Sequence, residues 1–282
     1  MEMISFLTLP FLASVFMLLI LGYLGMHVVE REIIFIDIAL AQIAALGATA
    51  GHVFFHIHEH SFTSYVFAFV CTAVAALFLA VADKRIKQIT HEAIIGVLYA
   101  IASAGALFIL ALSAGGEIHM EHMLTGNILW AGWNDLLISG SVFLVVGMFH
   151  FVFRKKFIRL SENTGKRKHT SADSSEKDIV LWNFLFYLTM GLVITVAVDV
   201  AGVLVIFSFL IIPAVFALIF SSSWVTRLLT GWSVGLVSII GGLLFSYKFD
   251  FSCGPSIISI LGVILIAAAL FKRFSKRGGE TV

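Results

Sequence analysis

Of the 282 residues, 60% are hydrophobic and only 12% are charged, and the mean hydropathy is +1.04. A water-soluble chain of this length needs far more polar surface to cover its core, so soluble domains are excluded and a lipid bilayer is the solvent that fits. The net charge of +1 carries little by itself, and no nucleic-acid partner is expected; the placement of the charges carries more.

Runs of about 20 apolar residues cross a hydrocarbon core as helix. Nine such spans are predicted, at 4–26, 33–55, 62–82, 92–114, 136–153, 179–198, 200–221, 226–246 and 255–271. Eight is the alternative count, because the sixth and seventh meet at Asp199 with almost no loop. The first run follows no Lys or Arg and precedes no small-residue cleavage site, so it is expected to be retained. The expected fold is all-α, a polytopic membrane protein with one transmembrane domain over 1–282; a β-barrel requires short alternating segments instead. Cys71 and Cys253 lie far apart in or beside apolar runs and suggest no disulfide framework.

Orientation follows from Lys and Arg, which favour the cytoplasmic side. With the N-terminus outside, the C-terminus inside and nine crossings, 17 of the 18 basic residues fall inside: Arg31, Lys84, Arg85, Lys87, eight between Arg154 and Lys177, Arg227, and Lys272, Arg273, Lys276 and Arg277. Lys248 alone is left outside. Residues 154–178 form the extended polar stretch and are expected to be a cytosolic loop, either a basic topology anchor or a binding surface.

Asp37 stands near the start of the second span with apolar residues on both sides, where an acidic group is costly and therefore a functional candidate. Gln42 and Gly47 follow in DIALAQIAALGATAG, a small-residue helix suited to close backbone packing. His52, His56, His58 and His60 crowd the first outer loop with Glu59, and His119 and His122 occupy the second. Neutral imidazole is the commonest transition-metal ligand, so these form a candidate capture site for Zn²⁺ or a similar divalent ion; the alternative is a set of polar interface residues. Glu92 opens the fourth span, where it either caps a helix N-terminus or lines an ion path. Asp199 and Asp250 are further acidic candidates, at a span junction and in the last outer loop. Pro213 lies inside an apolar run and either fixes a kink or permits a hinge. Gly165-Lys166 lacks the rest of a nucleotide-binding P-loop, and neither HExxH nor G-x-S-x-G occurs, so no enzyme activity is expected.

Several segments together resemble the zinc/manganese/iron class of bacterial ABC-transporter permeases. In VAGVLVIFSFLIIPAVFAL, Gly202, Leu204, Leu210, Ile211, Ile212, Pro213, Ala214 and Ala217 match that family's G-x-L-L-x-x-x-L-L-I-I-P-A-x-x-A element. FDFSCGPSI resembles its acidic loop followed by Gly-Pro, through Asp250, Gly254 and Pro255. HEAIIG, LTGNILW with Asp135, and REIIFIDIALAQIAALG resemble three further elements, in family order, over about residues 10–272. The family's second span carries a histidine where this chain has Gln42, and its aspartate lies four residues earlier rather than five.

The resemblance implies a permease subunit carrying a divalent metal ion, zinc first and manganese second, with no covalently bound cofactor. It implies a separate cytosolic ATPase, a second permease copy and an external metal-binding protein, all at a bacterial inner membrane. Asp37, Gln42 and Glu92 would then line the metal path, the outer histidines would receive the ion, and Gly47, Gly202, Pro213, Gly254 and Pro255 would serve packing or hinge roles. A secondary carrier needing no ATP and a non-transporting membrane scaffold or receptor are the alternatives.

Overall fold

The computed structural model describes residues 2–57, 61–86, 88–111, 128–165 and 176–278. These residues form nine α-helices and one short 3₁₀ turn, Ile128–Trp130: α1 Glu2–Glu30, α2 Ile36–Phe55, α3 Phe62–Arg85, α4 His91–Leu110, α5 Trp133–Val152, α6 Arg154–Gly165, α7 Glu176–Phe220, α8 Trp224–Phe249 and α9 Cys253–Gly278. All except α6 are long and apolar enough to cross a membrane. Backbone groups in lipid find partners only within helices or closed barrels, so the apolar runs set the secondary structure directly. Three starts are fixed by hydroxyl caps: Ser61, Thr90 and Ser223 accept from the amides of Ser64, Ala93 and Thr226, each at 3.3 Å. Val97, Ile101 and Phe108 on α4, and Leu137, Leu144 and Phe151 on α5, form exposed apolar stripes at helical spacing, as lipid-facing helices require.

The sixth and seventh predicted spans are one 45-residue helix, α7, interrupted at Gly202, where φ is 75° and ψ is 159°. Eight helices are therefore found where nine spans are predicted, but α7 does not run straight. The Phe186 ring lies 5.9 Å from the His27 ring near the end of α1. A β-carbon placed on neighbouring Gly25 would lie 1.8 Å from the Leu210 carbonyl oxygen. A straight helix would hold residues 186 and 210 about 36 Å apart, so α7 folds back on itself and its two limbs match the two predicted spans. Only glycine adopts the Gly202 conformation without strain. Gly202→Ala is expected to cost about 1–3 kcal/mol, seen as a lower melting temperature of the detergent-solubilised protein; an unchanged melt would contradict this geometry.

The fold-back gives the bundle two distinct ends. Arg31, Arg227, paired with Glu30 at 3.3 Å, and Lys156, 4.4 Å from the Trp182 ring, lie at one end. Lys272, which donates to the Ile219 carbonyl, joins them. Lys248 sits at the far end of α8, beside Phe249. Of these five basic side chains, four gather at one end of the bundle and Lys248 lies at the other.

The polar stretch 154–178 is not a loop throughout. Residues 154–165 form α6, because Phe157, Leu160 and Ser161 fall on one helical face that packs against α1, with Phe157 and Ser161 fully buried. Basic residues on the other face made the segment look uniformly polar.

Candidate functional site

Asp37 occupies the first turn of α2 and is 1% exposed, yet neither carboxylate oxygen has a hydrogen-bond partner. The helix N-terminus supplies partial positive charge there, and Glu92 is near enough to contribute to the field at Asp37. An unpaired buried carboxylate costs stability. Only the backbone at the start of α2 offsets that cost; no side chain among the described residues does.

Glu92 resolves its two alternatives in an unforeseen way. Its own helix is capped by Thr90, while Glu92 Oε1 accepts from the Phe35 amide, 3.2 Å away, at the threshold of α2. It thus caps a neighbouring helix, and its second oxygen, Oε2, is buried without a partner. One atom fixes the start of α2 beside Asp37; the other is left without a partner. Gln42 is half-buried further along α2, which runs unbroken from Ile36 to Phe55. Five residues place it about 140° around the helix from Asp37, so the structure does not put Asp37 and Gln42 on one face.

Beneath these carboxylates lies a polar network that the sequence did not reveal. Arg31 is buried; its Nε donates to Ser161 Oγ at 2.8 Å and its Nη1 to Asn183 Oδ1 at 3.1 Å. Asn183 Nδ2 donates to Asp83 Oδ2 at 3.0 Å, and Asp83 Oδ1 lies 3.5 Å from His91 Nδ1, which gains no well-formed hydrogen bond from it. His91 Nε2 meets the Tyr187 hydroxyl at 3.2 Å. Burial pushes the Arg31 guanidinium below its ordinary pKa, with Tyr187 and Asp83 pulling it back up. The signals available in the sequence were weak: a lone arginine between two spans, and Asp83 and Asn183 at span ends.

His27 and His150, far apart in the sequence, meet in one aromatic cluster. Both lie near the C-terminal ends of their helices, with Tyr23 between them at 4.9 and 5.5 Å. Their partners are hydroxyls, Ser161 for His27 and Thr189 for His150, each at 2.9 Å. No carboxylate among these contacts completes a metal-binding set.

His52 Nδ1 donates to the Ile57 carbonyl at 2.8 Å, and His56 ends α2 in the left-handed conformation, exposed. His58, His60, His119 and His122 lie outside the described residues. Among the described residues, no group of three or more His, Cys, Asp or Glu is placed to hold a metal ion. Asp199, at the fold-back, lies against Tyr65 at the opening of α3. Asp250 caps the C-terminal end of α8 with φ 56°. Cys71 and Cys253 are free thiols.

The remaining candidates have packing surroundings. A β-carbon on Gly47 would come within 2.7 Å of the Phe67 carbonyl, so α2 and α3 approach closely there. Pro213 continues the second limb of α7, and its carbonyl faces Gly231 of α8. Gly254 and Pro255 occupy the first turn of α9, where a missing amide hydrogen costs nothing.

Eight helices long and apolar enough to cross a membrane, enclosing a buried acid, an arginine and two histidines, define the chain as a multi-pass membrane protein. The chain belongs to the ABC 3 transport family, whose profile matches residues 3–272. It is 24% identical over 264 residues to the high-affinity zinc uptake system membrane protein ZnuB of Haemophilus influenzae, covering 93% of this chain and 95% of that protein. To the manganese transport system membrane protein MntC of Halalkalibacterium halodurans it is 22% identical over 267 residues, covering 95% and 87%. Among solved structures, PsaBC from Streptococcus pneumoniae in complex with Fab matches with a TM-score of 0.74 at 18% identity, covering 95% of this chain and 94% of that one. A second, an inward-facing conformation of a putative metal-chelate type ABC transporter, matches with a TM-score of 0.64 at 17% identity, covering 95% and 88%.

Proposed function

We propose that this chain is the membrane-spanning permease of an ATP-driven importer of a divalent transition metal, zinc or manganese, in a bacterial inner membrane. The observation that carries the reading is Asp37: a buried carboxylate without a partner, beside Glu92, in a family whose named relatives serve zinc and manganese systems. Such a group is costly in a membrane unless a cation passes it. The basic end of the bundle faces the cytosol, in keeping with the positive-inside tendency, and the outer histidines receive the ion on the opposite side.

ATP hydrolysis belongs to a separate cytosolic subunit. Its contact surface is α6, whose basic face is turned away from the bundle at the cytosolic end. A second permease copy and an external metal-binding protein complete the assembly, with alternating access driven by rigid-body motion of the helices. The test is zinc and manganese uptake in cells lacking their own importers, with the chain expressed alongside its cognate ATPase and external metal-binding protein. Restored uptake of either ion is expected; flat uptake of both would refute the reading.

A further inference from the structure

The connector between α1 and α2 has five residues, 31–35, and is held at each end by a side chain from elsewhere in the fold. At its start Arg31 is fixed by Ser161 of α6 and Asn183 of α7. At its end the Phe35 amide is fixed by Glu92 of α4. Asp37 follows two residues later. The Arg31 guanidinium also lies 4.0 Å from the centre of the Phe186 ring, so α7 holds it from two directions. Among the described residues no carboxylate is hydrogen-bonded directly to this buried guanidinium; Asp83 reaches it through Asn183 on one side and through His91 and Tyr187 on the other. Truncating a group in such a buried chain leaves its partners unpaired, so the bonds act as a unit.

The network also holds polar atoms in reserve. Arg31 Nη2, His91 Nδ1 and Glu92 Oε2 are all buried and without hydrogen-bond partners. Physical coupling between distant sites needs an element that both sites bias, and the connector, tied at one end to α6 and α7 and at the other to α4, is placed to be that element.

We propose that Arg31 is a positioning residue that transmits displacement of α6 through connector 31–35 to the Asp37 and Glu92 carboxylates. This rests on the reading of α6 as the ATPase contact and of the two carboxylates as the ion path. Ser161 ties the connector to α6, and Asn183 with Asp83 holds the guanidinium fork in register. Lysine cannot replace that fork, because an ammonium is a point charge without fixed planar geometry.

The test uses the permease assembled with its cognate ATPase in vesicles, with the metal-loaded external binding protein supplied for the transport readout, carrying Ile34→Cys in a Cys71→Ser, Cys253→Ser background. Ile34 is 37% exposed and lies in the connector. Its labelling rate by a polar thiol reagent is expected to change about fivefold or more between nucleotide-free and ATP-bound states, within the reach of coupling networks. Ser161→Ala and Arg31→Lys are expected to retain assembly and ATP hydrolysis but lose that nucleotide response. Zinc or manganese moved per ATP hydrolysed should fall by about fivefold as well, and Ser161→Thr, which keeps the hydroxyl, should restore both readouts. An Ile34→Cys response that is absent in the unsubstituted background, or that persists in Ser161→Ala and Arg31→Lys, overturns the proposal. If Arg31→Lys fails to assemble, Ser161→Ala decides alone. A complex that moves neither metal refutes the transport reading, while the labelling arm, which needs no transported ion, still decides the relay.

Discussion

Asp37→Asn is expected to abolish most metal transport while leaving the protein at least as stable as before. Both oxygens of the buried Asp37 carboxylate lack partners, and replacing an unpaired buried charge by a neutral group of the same shape is neutral or stabilising. A structural aspartate behaves in the opposite way, because its removal strands the donors that it satisfied. Transport should fall by about tenfold or more, the kinetic equivalent of about 1.4 kcal/mol lost at the rate-limiting step. Glu92 allows a finer separation. Glu92→Gln keeps an acceptor for the Phe35 amide but removes the charge, so transport should fall with little change in melting temperature. Glu92→Ala removes the cap too and should additionally cost about 1 kcal/mol of stability. Normal transport by Asp37→Asn and Glu92→Gln would place the ion path elsewhere in the bundle.

Gly25→Ala is expected to be the most disruptive single substitution in the bundle. The added methyl would lie 1.8 Å from the carbonyl oxygen of Leu210 and 2.8 Å from its carbonyl carbon. Those are backbone atoms inside a helix, so no side-chain rotation relieves the clash and α1 and α7 must separate. Overpacking commonly costs 1–3 kcal/mol, and a backbone obstacle places this case at about 3 kcal/mol or more, enough to remove most folded protein from a marginally stable chain. Gly96 is the internal control. A β-carbon there meets nothing within 4 Å, so Gly96→Ala should be neutral or slightly stabilising through helix propensity. Thermal melts and the yield of monodisperse protein decide the matter; equal melting of Gly25→Ala and the unsubstituted protein would disprove the close approach of α1 to the second limb of α7.

The helices were legible in the sequence because lipid leaves the backbone no alternative and hydrophobic length is a direct signal. The junction at Asp199 was also visible, although a single glycine makes the reversal and no loop announces it. α6 was not legible: Phe157, Leu160 and Ser161 set out its buried face, but the surrounding Arg and Lys outweighed them in composition. The candidate site divides in the same manner. Asp37 and Glu92 stood out because acids beside apolar runs are rare, and their proximity follows from α2 meeting α4. Arg31 reaches its partners across 130 and 152 residues of chain, a pairing that no local pattern encodes. His27 and His150 came together for a related reason: the alternating direction of α1 to α5 returns both helix ends to the same face of the bundle.

The most direct test of the account is metal accumulation in sealed vesicles containing the permease with its cognate ATPase, supplied with the metal-loaded external binding protein on the opposite side and measured with and without ATP on the ATPase side. Accumulation of zinc or manganese that requires both the ATPase and ATP is predicted, with the Asp37→Asn complex hydrolysing ATP but accumulating little. Equal accumulation by the permease alone, without nucleotide, would contradict it and make the chain a secondary carrier.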